Sequence, residues 1–434
     1  MNTFEINIVY VLMYIVAWSI SLKKYKKRTS WFGPGSYLML SYMVFGIFSL
    51  VYLLIDLSTI SEIKLFPFIY LFLSLYIASY PVLKYEESKD VAIQKPNNTL
   101  LIGLICFCFL GAIAKLICSL PTIKAGISIM MVTDSGALDN YQQMDDYYQV
   151  IGNNSSNLPF ILRAFFILNA YIADIPILLL MYYLTLSDRN KILVYTLVFD
   201  VLVMFFTSVA LGNRTGIVEV AFQIIILFLF FYNYYDDRLR KSLYFGFAIF
   251  LSLVIISSTI ITISRFSFSS TYTSPLESVI DYAGQGNVNF NRYCLDAGGT
   301  RHGDRTMSML KSITEEKIPD MEMVRKKYSN MKIDDSIFST FIGDFVLDFG
   351  PYVAFILILV SSLVFTKITK PREGFLSFSQ LIWLFFIMTV CSVGGMYLFP
   401  YAYMRGQRII GYLILSILFY TTSSNSSARS RALV

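Results

Sequence analysis

Long, almost uninterrupted apolar runs alternate with polar connectors along most of this chain. The runs are about twenty residues long, enough to cross roughly 30 Å of hydrocarbon at 1.5 Å per residue. Backbone N–H and C=O groups in lipid must pair within their own segment, so each run predicts a helix. Eleven spans follow, near residues 4–22, 36–55, 65–83, 98–120, 160–186, 192–211, 215–234, 242–264, 341–366, 376–397 and 401–421. The expected fold is an all-α polytopic membrane protein in three segments: spans one to eight in 1–264, a long polar loop at 265–340, and spans nine to eleven with a tail in 341–434. A second polar stretch, 121–158, separates the fourth and fifth spans.

The long loop has helical signals of its own. Ser274, Pro275 and Glu277 have the spacing of a helix start, with Gly284 and Gly286 expected to stop the helix after about Tyr282. Short helices are also expected over 304–311 and 319–332.

Composition supports this reading. The chain is 56% hydrophobic and 15% charged, with a mean hydropathy of +0.60; soluble domains carry about 25% charged residues. Four of the five cysteines, Cys106, Cys108, Cys118 and Cys391, lie in apolar runs. Only Cys294 is in the loop, so neither a disulfide framework nor a metal-ligand spacing emerges. The net charge of +6 reads as a topology signal and not as a nucleic-acid surface. The cluster Lys23-Lys24-Tyr25-Lys26-Lys27-Arg28 and every second short connector after it are basic. The N-terminus is therefore expected outside the membrane, the C-terminus in the cytoplasm, and the long loop on the outer face, since long loops translocate largely regardless of charge.

Candidate chemistry concentrates on that outer face. Lys115, Asp174, Asp200, Glu219 and Asp348 are further ionisable residues in or beside the spans. An arginine or aspartate near the bilayer centre costs about 2.5–3.5 kcal/mol, which argues for a partner or a cavity. Arg214 sits in the turn Gly212-Asn213-Arg214-Thr215-Gly216, and Arg405 and Arg408 lie one helical turn apart in the last span. With Arg163 these are candidates for gripping phosphate oxygens, because a guanidinium keeps its charge and presents a matching fork. Snorkelling to headgroups or pairing with a carboxylate is the structural alternative for each. His302, the only histidine, lies in Gly298-Gly299-Thr300-Arg301-His302-Gly303-Asp304-Arg305. Histidine titrates nearest neutrality of the side chains, which suits a general base; a lone loop histidine is also often incidental.

Three runs carry a resemblance: Ser30-Trp31-Phe32-Gly33-Pro34 after the first basic cluster, Gly212-Asn213-Arg214-Thr215-Gly216, and Gly343-Asp344-Phe345-Val346-Leu347-Asp348-Phe349-Gly350-Pro351 after the long loop. With the layout, they resemble the Wzy-type oligosaccharide repeat-unit polymerases of O-antigen and capsule synthesis. The resemblance implies a metal-independent, GT-C-like glycosyltransferase of the bacterial cytoplasmic membrane, without a cofactor. Its substrate would be an undecaprenyl-pyrophosphate-linked oligosaccharide, with membrane lipid, a flippase and a chain-length regulator as implied partners. Arg214, Arg405, Arg408 and Arg163 would hold the pyrophosphate, Arg292, Arg301 and Arg305 would assist, and His302, Asp304 or Asp344 would serve the acid–base chemistry. One departure is that 121–157 holds no arginine. An O-antigen ligase and a lipid-linked-oligosaccharide flippase or other transporter are the alternative readings.

Overall fold

The computed structural model describes residues 3–29, 31–55, 63–88, 91–132, 150–151, 153–266, 274–314, 321–333 and 338–431. The chain is an all-α polytopic membrane protein. Among the described residues, eight helices are long and apolar enough to cross a bilayer, or nine when a bent pair counts as one span. The chain folds as two compact units, Met1–Lys95 with Val279–Val434, and Pro96–Ser278.

In the first unit, α1 (Thr3–Thr29), α2 (Pro34–Ile55) and α3 (Leu65–Glu86) pack together. Trp18 of α1 is fully buried, with its ring centroid 4.8 Å from Tyr42 and 4.6 Å from Phe72. α1 extends through the basic cluster predicted as a connector. The Ser30–Pro34 run leads into a capped helix start. Gly35 N donates to Glu86 Oε2 at 2.5 Å, so a buried carboxylate caps the start of α2. A Cβ on Gly33 would lie 2.6 Å from Glu86 Oε1, so a side chain there would have to displace that carboxylate.

In the second unit, α4 (Asn98–Val132) packs on α5 (Phe160–Asn169) and on α7 (Lys191–Ala210). α4 passes through Pro121, so 121–132, expected as loop, are helical; 133–149 lie outside the described residues. α5 and α6 (Ile175–Tyr183) meet at 80°, so the span expected at 160–186 is broken. A short 3₁₀ turn at Ala170–Ile172 and Pro176 at the start of α6 interrupt the helical ladder there. α8 (Arg214–Phe231) and α9 (Asp237–Phe266) complete the unit around Phe205, Ile217, Ala221, Val254 and Ile261.

The polar loop returns the chain to the first unit. Helix α10 (Pro275–Asn289) starts as the spacing predicts, with Glu277 N donating to Ser274 Oγ at 3.3 Å. It does not stop at the glycines. Their lack of side chains serves packing instead: a Cβ on Gly284 would lie 2.5 Å from Phe48 O, and one on Gly286 would lie 2.7 Å from Met396 O. Gly284 O accepts from Ser49 Oγ at 2.7 Å. A π-turn, Phe290–Cys294, follows. The two short loop helices are α11 (Ser308–Lys311), which starts later than expected, and α12 (Met321–Lys327), which ends earlier than expected; 315–320 and 334–337 lie outside the described residues.

The span expected at 341–366 is two helices, α13 (Thr340–Phe349) and α14 (Pro351–Ile368). Gly350 separates them at φ 78, a left-handed conformation open to glycine, and Pro351 contributes no N–H to continue α13. Strand β2 (Phe375–Leu376) pairs in parallel with β1 (Ala92–Ile93). α15 (Phe378–Gly394) is 17 residues long, and a 3₁₀ turn at Tyr403–Gly406 leads into α16 (Gln407–Arg431).

The glycine contacts set a contrast. Gly284→Ala is expected to cost about 1–3 kcal/mol through overpacking. Gly246→Ala, where a Cβ meets nothing within 4 Å, should change stability by less than about 1 kcal/mol. Thermal unfolding of the detergent-solubilised protein would separate the two; equal midpoints would contradict the close backbone contact.

Candidate functional site

α13 presents Asp344 and Asp348 one helical turn apart on one face, and both side chains are fully buried. Each carboxylate oxygen meets a donor or a cation. Asp348 Oδ1 accepts from Arg301 Nε at 2.8 Å, and its Oδ2 accepts from Thr306 N and Thr306 Oγ1, both at 2.7 Å. Asp344 Oδ2 accepts from Phe399 N at 2.7 Å. Asp344 Oδ1 lies 3.1 Å from Arg305 Nε and 3.3 Å from Arg301 Nη2. Arg301 also donates to the Asp344 carbonyl at 3.2 Å, and its side chain is only 2% exposed. Two arginines and two aspartates thus form a dehydrated node of balanced formal charge.

The Gly-rich segment brings the arginines there. Gly298 (φ 79), His302 (φ 53) and Gly303 (φ 81) are left-handed and fold it into a tight reversal. Arg301 N donates to Leu347 O at 2.8 Å, fastening that reversal to α13. His302 stays exposed, with Nδ1 3.3 Å from Thr300 Oγ1. Asp304 forms an adjoining node. Lys311 and Lys327 pair with its two oxygens, Lys327 at 2.6 Å, and Tyr328 Oη donates at 2.7 Å. Burial pushes the Asp304 carboxyl up. The hydrogen bonds from Lys311, Lys327 and Tyr328 outweigh that and bring it down from 3.8 to about 2.

The turn before α16 is attached to the same cluster. Tyr403 N donates to Arg305 O at 3.1 Å, and the Arg305 guanidinium stands 5.6 Å from the Tyr403 ring centroid. Gly406 seats this turn closely, since a Cβ there would lie 2.9 Å from Met309 Cβ. Arg405 on the turn and Arg408 on the first turn of α16 are both half-buried. Arg292 occupies the π-turn, its guanidinium 5.0 Å from the Tyr293 ring centroid.

Arg214 and Arg163 belong to the second unit. Arg214 opens α8 behind the N-cap Asn213, whose Oδ1 accepts from Gly216 N at 3.1 Å. Its Nη1 donates to Thr262 Oγ1 at 3.2 Å. Arg163 is exposed in the first turn of α5. Among the described residues no group of three or more His, Cys, Asp and Glu residues could hold a metal ion.

No family model matches this chain, and no curated protein or solved structure matches it.

Three sequence candidates, Arg301, Arg305 and Asp344, therefore meet in one buried node, with the Arg405 turn fastened to it. Asp304 anchors a second node and His302 faces outward. Sequence reasoning did not assign a site role to Asp348, Lys311, Lys327, Tyr328 or Tyr403. A signal existed for the first: the four-residue spacing of Asp344 and Asp348 matches that of Arg301 and Arg305.

Removing one partner of a buried ion pair strands the other, at about 3–5 kcal/mol. Asp348→Ala should destabilise the protein by that amount, and Thr306→Val, which keeps the backbone donor, by about 1 kcal/mol. Unfolding midpoints in detergent would rank them, and equal effects would contradict the node.

The lowered Asp304 group predicts a pH window. Its contribution to the stability of the loop segment is fully present above the unfolded value of 3.8 and is lost as pH falls through about 2. Hydrogen exchange over 301–314 should therefore accelerate across that window in the wild-type protein. Asp304→Asn, which cannot ionise, should flatten this component, and identical profiles would rule it out.

Proposed function

We propose that this chain is a repeat-unit polymerase of the cytoplasmic membrane, a GT-C-like glycosyltransferase with eleven spans, an outward N-terminus and a cytoplasmic C-terminus. Its donor is an undecaprenyl-pyrophosphate-linked oligosaccharide. The observation that carries the reading is the arginine pair Arg405 and Arg408, half-buried on the 403–406 turn and the first turn of α16, where Arg305 O and the Asp344 carboxylate hold the backbone leading in. Guanidinium groups held there suit a leaving pyrophosphate, whose growing charge they would stabilise.

In the proposed step, a hydroxyl oxygen of the acceptor saccharide forms a bond to the donor's anomeric carbon. The bond from that carbon to the pyrophosphate oxygen breaks, and the lipid pyrophosphate leaves with the bonding electrons. The hydroxyl proton passes to a base. His302, exposed on the reversal beside the node, fits that role better than the aspartates. Asp304 is engaged by two lysines and a tyrosine, and the Asp344 oxygens face Phe399 N, Arg301 and Arg305. Asp344 is accordingly assigned as a positioning residue. Arg214 and Arg163 of the second unit, and Arg292, remain secondary candidates for binding the lipid-linked substrate.

In a strain lacking its own copy of the gene, Arg405→Ala and Arg408→Ala should each leave protein levels intact. Losing one such donor lowers the rate about 10²–10³-fold, so long polysaccharide should disappear while the single-repeat glycan persists. Gel profiles of extracted glycans and an immunoblot measure both. Wild-type polymer length in both variants would overturn the phosphate role. Single-repeat glycan that cannot reach its final acceptor at all would indicate a ligase.

A further inference from the structure

One cavity in the first unit is not used by the proposed transfer step. It measures about 330 Å³ and is lined by α12, by the turn after it and by Arg301, and neither Arg405, Arg408 nor His302 lines it. Two hydrogen bonds fix its frame: Lys332 N donates to Ala297 O at 3.0 Å, and Tyr328 Oη donates to Arg301 O at 3.0 Å. Its apolar side is Val324, Met331 and Ile333, the first and last of them buried. Its polar side is Arg325, Ser329 and Lys332.

Among the described residues, the charged side chains lining the cavity are cations, and no carboxylate lines it. The Arg301 guanidinium is neutralised by Asp348 and Asp344, and Lys332 Nζ lies 2.7 Å from the exposed carboxylate of Asp296. Arg325 is exposed and forms no ion pair among the described residues. A guanidinium fork beside a serine hydroxyl suits a carboxylate or phosphate. The apolar side suits the carbon skeleton of a compact ring, and the volume falls at the small end of ligand pockets.

We propose that this cavity binds an anionic monosaccharide unit, with Arg325 and Ser329 on its carboxylate or phosphate and Met331 and Val324 against its ring. That the anion is borne on a sugar rests on the polymerase reading; the oxyanion preference rests on the cavity alone. The cavity would then select among repeat units by charge and size without taking part in bond cleavage.

The test uses the full chain purified in detergent and ligand-observed saturation-transfer NMR, with inorganic phosphate, which has no carbon-bound protons, read by its competition against glucose 6-phosphate. The probes are glucuronate, glucose 6-phosphate, glucose, glycerol 3-phosphate and inorganic phosphate. Expected are saturable binding of one or both anionic sugars, none of glucose, and at least tenfold weaker binding in Arg325→Gln. Arg325 is exposed, so the fold should tolerate this change, and Ser329→Ala should weaken binding less. Glucose binding as well as the acids, unchanged affinity in Arg325→Gln, or no binding by any probe would each overturn the proposal. Inorganic phosphate matching glucose 6-phosphate would mean a bare-anion site, and glycerol 3-phosphate matching it a lipid-headgroup site; either overturns the sugar assignment. If the variants abolish sugar-acid binding while gene deletion leaves polymer length unchanged, the cavity stands and the polymerase reading falls. Polymer lost on deletion, with no probe bound, gives the reverse.

Discussion

The contact between Arg301 and the two aspartates of α13 holds together the part of the molecule where chemistry is proposed. Moving each ion out of water costs several kcal/mol, and attraction recovers this only when geometry is good and the remaining donors and acceptors are satisfied. Here they are well served. Thr306 supplies two donors to Asp348 and Phe399 N supplies one to Asp344. One helix face thereby organises the reversal at 298–306 and the backbone entering the 403–406 turn. Isosteric apolar residues could fill the same volume, but they could not dictate which backbone atom sits where. The return on burying four charges is directional fixing of two irregular segments.

Close backbone approach does for the helices what the ion pairs do for the loops. Between apolar helices in lipid, water exclusion drives little association, and small residues gain dispersion contact by letting backbones come near. Gly284 and Gly286 bring α10 against Phe48 and Met396 in this manner, and Gly33 and Gly35 admit the Glu86 carboxylate to the start of α2. A polar segment after eight predicted spans is thereby drawn into the first unit. Ser49 adds direction, accepting from Asn287 Nδ2 at 3.1 Å while donating to Gly284 O.

Hydrophobic run length made most of the membrane helices legible, because lipid forces an apolar run of that length to be helical whatever its neighbours are. The misreadings occur where a local rule had two outcomes. Glycines at 284 and 286 can end a helix or let one pack closely, and only the neighbour on the other side decides. Gly350-Pro351 marks a true break, but the apolar residues flanking it masked that break within a longer run. For the candidate site, Asp344 and the loop arginines were visible as charges that needed partners. Which carboxylate serves which guanidinium, across more than 35 intervening residues, depends on how the reversal at His302 seats on α13, and no periodicity encodes that.

The same pairings redistribute the chemistry among the cations. A guanidinium facing a buried carboxylate presents little net field to a substrate, so Arg301 and Arg305 are weak candidates for gripping a diphosphate even though they lie in the loop rich in positive charge. Arg305 nevertheless matters to the proposed step through its carbonyl and its ring partner Tyr403, which fix the turn bearing Arg405. Preorganisation of this kind is what lets an arginine stabilise a charge that develops only in the transition state, since little reorientation remains to be done when the bond breaks. On the proposed reading the buried node and the half-buried pair therefore divide the work: the first sets geometry with its charge cancelled, and the second offers charge at the start of α16.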